Sequence, residues 1–141
     1  MTPAQLRERT RQFAILVART VRPALEQPYT KPAAAQLMRA AMSVAANYRA
    51  AGLARSRAEF ISKLSIVLEE ADEVVFWLEL LRETDPTMER WTTLIDEAGQ
   101  LVRIFAASKR TVTRHTAQQQ SRHDARGRLA PDRRTISRGS R

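Results

Sequence analysis

A chain of 141 residues with 24 Lys and Arg against 15 Asp and Glu carries a formal charge of +9, and that length fits one hydrophobic core rather than two. The lack of cysteine excludes a disulfide framework and a thiolate-ligated zinc site. Behind Arg7, Arg9 and Arg11 the apolar run Phe13 to Ala18 is too short for a signal peptide, and no stretch approaches the roughly 20 apolar residues of a membrane span, so the expected location is cytoplasmic and no membrane partner is expected.

The apolar spacing is helical from the start, and strand signals are missing. The first helix opens with Thr2 as cap and Pro3 in the first turn, and its stripe runs Leu6, Phe13, Leu16, Val17, Thr20, Val21, Ala24. Pro28 and Pro32 end it and start the second helix, about residues 31–51, which places Leu37, Ala41, Val44 and Tyr48 in one narrow arc before Gly52 stops it.

The third helix starts at Ser56-Arg57-Ala58-Glu59, a capping box in which Ser and Glu satisfy orphan backbone donors reciprocally. Phe60, Leu64, Val67, Ala71, Val74, Val75 and Leu78 then share one face. Ile66, Phe76, Trp77 and Leu80 lie far from that arc, which leaves two readings open. Either this helix is buried on two sides, or these residues form a subunit interface with a rim of carboxylates. A di-iron site is excluded because the only histidines, His115 and His123, lie outside the candidate bundle.

The fourth helix is predicted from Asp85-Pro86, burying Met88, Trp91, Leu94, Ile95, Ala98, Leu101, Val102, Phe105 and Ala106. Long amphipathic helices with short connections make an all-α, up-down-up-down four-helix bundle over residues 1–108. The expected core is Leu16, Leu37, Val44, Tyr48, Phe60, Leu64, Val67, Ala71, Leu78, Leu94, Ala98, Leu101 and Phe105.

Residues 109–141 differ in kind. They hold 10 Lys and Arg against 2 Asp and Glu, and their only apolar side chains are Val112, Ala117, Ala125, Leu129, Ala130 and Ile136. Such a segment buries too little surface to offset its chain entropy, so a disordered basic tail is predicted. Its cations, Lys109, Arg110, Arg114, Arg122, Arg126, Arg128, Arg133, Arg134, Arg138 and Arg141, are suited to phosphate contacts that give affinity without base readout. A second basic cluster, Arg49, Arg55, Arg57 and Lys63, falls at the junction of the second and third helices. It reads either as a nucleic-acid contact or as local charge pairing, with Arg49 on a helix C-terminus and the others against Glu59.

The stretch Ser43-Val44-Ala45-Ala46-Asn47-Tyr48-Arg49-Ala50-Ala51, continuing through Ala54-Arg55-Ser56-Arg57-Ala58-Glu59-Phe60-Ile61-Ser62-Lys63-Leu64 and Ile66-Val67-Leu68-Glu69-Glu70-Ala71-Asp72-Glu73 to Phe76-Trp77-Leu78-Glu79-Leu80-Leu81, resembles the bacterial four helix bundle protein family. That family includes proteins encoded by intervening sequences in large-subunit ribosomal RNA genes and is related to the accessory variability determinant of diversity-generating retroelements. The resemblance implies a small bundle that assembles as a homopentamer. It also implies a basic surface for nucleic acid, RNA or DNA, and a reverse transcriptase as a further protein partner. The Arg-rich tail exceeds the compact family core.

Three function classes compete: a nucleic-acid-binding accessory protein, a structural or protein-interaction oligomer without a nucleic-acid role, and an enzyme. The enzyme ranks last. No Gly-rich phosphate loop, nucleophile elbow or histidine base stands within the bundle, so no catalytic residue, cofactor or metal is expected.

Overall fold

A computed structural model describes residues 1–85 and 89–128. It contains α1 (Pro3–Thr20), α2 (Arg22–Leu25), α3 (Lys31–Ala51), α4 (Arg57–Thr84) and α5 (Glu89–Arg128), with no strand among the described residues. The all-α bundle expected from the sequence is therefore present, with the single-turn α2 added between its first two long helices.

Local chemistry sets the helix ends. The Thr2 hydroxyl accepts from the Gln5 amide at 3.1 Å, and the Gln5 side chain accepts from the Thr2 amide at 2.8 Å, a complete capping box. At α4 the Ser56 hydroxyl accepts from the Glu59 amide at 3.1 Å, but the Glu59 carboxylate reaches the amide of Arg55 at 2.9 Å, one residue earlier than the motif predicts. Gly52 caps α3 with φ −64°, within reach of any residue. Its glycine is explained by space, because a Cβ there would lie 3.1 Å from the Arg7 guanidinium and 3.3 Å from the Arg49 carbonyl oxygen.

The long helices form the bundle through α3 packed on α1 and α4, and α4 packed on α5, while α1 and α5 touch more sparsely. A single core runs through them, with Trp91, Phe105, Leu37, Leu64, Leu78, Leu81, Leu94 and Leu101 fully buried. Tyr48 meets Phe105 across it at 5.4 Å between ring centroids, and burial pushes its phenol pKa up. Arg9 closes the thin α1–α5 seam: its Nε and Nη2 donate to both carboxylate oxygens of Glu97 at 2.6 and 2.8 Å, and Nη2 also reaches Gln100. That hydrogen bonding holds the Glu97 carboxyl below its ordinary range.

Several expectations of burial need correction. In the last helix Ile95, Val102 and Ala106 are half-buried. Leu16 is 46% exposed rather than in the core. The buried face of α1 is Leu6, Thr10, Phe13, Ala14 and Val17, so the helix turns its small residues toward α3 and carries Leu16 round to solvent. Phe60 is half-buried against the core rather than inside it.

The larger correction concerns residues 109–128, which are helical. The α5 helix crosses residue 108 without a break and runs for 40 residues. Entropy argued for disorder in an isolated tail, but this segment grows from a helix already nucleated by core packing, and propagation costs far less than nucleation. Residues 129–141, with Arg133, Arg134, Arg138 and Arg141, lie outside the described residues, as do Pro86 and Met88.

Candidate nucleic-acid interface

The beginnings and ends of the helices decide where the cations gather. The start of α1 lies beside the end of α3, since Arg7 approaches Gly52, and the start of α4 lies beside the far part of α5. The latter contact is specific: Arg57 Nη1 donates to Gln119 Oε1 at 2.5 Å. Nine residues of α5 follow Gln119 as far as Arg128, which at about 1.5 Å per residue carries the helix roughly 13 Å further.

This end of the molecule is the basic pole. Arg55 is 91% exposed at its side chain and leans on Glu59 at 3.6 Å, and Arg57 is exposed beside it. On α5, Arg110, Arg114, Arg122, Arg126 and Arg128 are all exposed, and Lys109 is half-buried. Arg110, Arg114 and Arg128 fall within about 40° of one another round the helix, and Arg122 and Arg126 form a second row about 80–160° away. The acids nearby are already engaged: Glu59 with Arg55, and Asp124 with the Gln120 amide at 3.1 Å. At the opposite pole the charges are mixed, with Arg22, Glu26, Lys31, Arg82 and Glu83 at or near the helix ends.

The cluster expected at the α3–α4 junction is thus only partly assembled. Arg57 meets α5 at Gln119, and Arg55, two residues before Arg57, stands against Glu59. Lys63 sits about two turns further along α4, half-buried, and Arg49 lines a groove between α1 and α3. The local pairing of Arg55 with Glu59 is present, while Arg57 pairs instead with Gln119, a partner 62 residues away that no spacing rule connects to it.

The second set of expected residues is on the outside of α4. Phe76 is 54% exposed, Leu80 40% and Ile66 38%, which excludes the reading in which α4 is buried on two sides. Trp77 is half-buried. It stands edge-on to Phe76 at 4.8 Å, and its indole N–H donates to Glu73 at 3.0 Å. Glu73 also accepts from Arg39 of α3. The indole bond first and the guanidinium second hold the Glu73 carboxyl below its ordinary range.

One buried polar cluster was not anticipated. Asp85, expected at the start of the last helix, is buried, and its Oδ2 accepts from the Trp91 indole at 3.0 Å and from Arg90, whose guanidinium stacks on the Trp91 ring at 4.8 Å. The adjacent Asp, Arg and Trp types were the available signal. Their geometry locks the α4–α5 corner, far from the basic pole.

Among the described residues no group of His, Asp or Glu could hold a metal ion, and no helix is long and apolar enough to cross a membrane. No curated protein matches the chain. A solved structure of a protein of unknown function from the S23 ribosomal protein family of Bacteroides thetaiotaomicron is similar to it, with 28% identity and a TM-score of 0.71, over 78% of this chain and 99% of that one. The family model described as 23S rRNA-intervening sequence protein matches residues 4–107. Those residues run from the first turn of α1 into the middle of α5, and on that match the chain belongs to the 23S rRNA-intervening sequence protein family.

Proposed function

We propose that this protein is a non-enzymatic accessory factor of the cytoplasm that binds RNA or DNA through its basic pole and acts as a homo-oligomer. The carrying observation is the collection of Arg55, Arg57 and the α5 arginines at one end of the bundle, with the neighbouring acids already engaged. Cations on a solvent-exposed helix contact phosphates and release counterions, which supplies affinity with weak sequence preference. No aromatic residue follows Phe105, so base stacking contributes nothing along this part of the chain. Self-association is supported by the exposed apolar face of α4, and a pentamer by the family resemblance.

The test is the affinity for a generic RNA as salt is raised. The full chain is expected to show log K falling steeply with log salt, by roughly 0.7 to 0.9 per phosphate contacted. Replacing Arg110, Arg114, Arg122, Arg126 and Arg128 with Gln should flatten that slope, and adding Arg57→Gln should flatten it further. An unchanged slope removes the pole as the contact. No retention of the intact chain at low salt favours a protein-interaction oligomer instead, with a reverse transcriptase as one partner to try.

A further inference from the structure

Between α1 and α3 runs an open groove of about 890 Å³. Its floor is made of small and flexible residues, chiefly Ala14, Ala18, Ala45, Ala46 and Met42. Its rim is cationic, with Arg7, Arg11, Arg19 and Arg49 against a single acid, Glu8, which is itself paired with Arg11 at 3.1 Å. Among the described residues Arg7, Arg19 and Arg49 make no ion pair.

The outer face of α4 carries the opposite charge and larger apolar side chains. Phe76, Leu80 and Ile66 project as an apolar ridge, and the exposed carboxylates Glu69, Asp72 and Glu79 stand on and beside it. Those carboxylates also make no ion pair among the described residues. A chain thus carries an unpaired acidic ridge on one face and an unpaired basic groove on another.

We propose that the α1–α3 groove of one copy receives the α4 ridge of a second copy, a head-to-tail contact. It rests on the reading that the chain self-associates. Alanine floors allow close approach of a helix, the apolar ridge side chains leave water, and the free carboxylates meet the free guanidiniums. Because the two surfaces differ, one copy keeps its ridge and the other its groove after pairing, and the contact propagates until a ring closes or a filament grows.

The test is complementation between two variants of the full chain, followed by light scattering at micromolar concentration. Phe76→Asp with Leu80→Asp destroys the ridge and leaves the groove; Met42→Glu with Ala46→Glu does the reverse, at positions exposed enough for the fold to survive. Each variant alone is expected to be monomeric, and their mixture to form a one-to-one dimer that grows no larger. A monomeric mixture overturns the head-to-tail pairing, as does self-association of the groove variant through ridge against ridge. A monomeric wild type ends the self-association reading along with it, whereas an oligomeric wild type with no complementation ends only the pairing. Since the chain has no cysteine, Phe76→Cys and Ala46→Cys chains give a second measurement that needs no disruptive charge. Oxidation should cross-link the mixture, and a Phe76→Cys chain that links only to itself contradicts the proposal.

Discussion

Residues 91–105 and 109–128 belong to the same α5 helix, yet different forces keep them helical. The first half buries Trp91, Leu94, Ala98, Leu101 and Phe105, and its geometry is enforced by α1, α3 and α4. Among the described residues the second half fully buries no side chain: Lys109 and Val112 are half-covered, and Gln119 accepts a hydrogen bond from Arg57. A packed helix nucleates itself by tertiary contact, and an unpacked one persists by propagation from its neighbour. The comparison shows how a family-sized bundle can carry a structured basic element with no core of its own.

Substitutions should therefore have unequal effects along this one helix. Trp91→Ala removes a fully buried indole and its bond to Asp85, and is expected to cost about 3 to 5 kcal/mol, read as a large fall in the thermal midpoint. Leu64→Ala, on the facing helix, should cost about 2 to 5 kcal/mol, and an unchanged melt there would show that α4 is set in the wrong register. By contrast Ala117→Pro should lower helical circular dichroism while leaving the thermal midpoint of the bundle near its wild-type value. A cooperative loss of the whole fold would mean that the second half contributes packing after all.

Acid acts on the α1–α5 seam. Glu97 has a folded pKa held below the ordinary value of about 4.3, so its bond to Arg9 stabilises the fold above that value and is lost as pH falls through the lower folded value. Glu97→Gln should remove that part of the acid sensitivity, measured by denaturant melts from neutral to low pH. The smallest expected effect is Gly127→Ala: nothing lies within 4 Å of the added methyl, so helix content near the end should rise by an amount worth about 1 kcal/mol of local propensity, with no change in the melt.

Periodicity carried most of the fold because each long helix presents one apolar stripe to one core. Leu64, Val67, Ala71 and Leu78 are buried as their spacing requires. Leu16 failed because it lies about 100° round α1 from the centre of the buried set Leu6, Thr10, Phe13, Ala14 and Val17, at the edge of the stripe. The extension failed because composition describes a segment as if it were free, and this one is attached to a helix already formed. The site was legible as charge but not as geometry: nothing in the spacing joins Arg57 to Gln119, or sets Arg49 in a groove with α1.

The unbroken passage of α5 through residues 106–109 makes it a keyed shaft. Each residue advances a helix by about 1.5 Å and turns it by about 100°. A single residue inserted between Phe105 and Lys109 would therefore leave the composition of the cationic half nearly unchanged while swinging both arginine rows about a quarter-turn or more relative to the bundle. It would also carry Gln119 away from Arg57. On a flexible tail the same insertion would be silent. Here the direction in which the arginines face is inherited from the hydrophobic core.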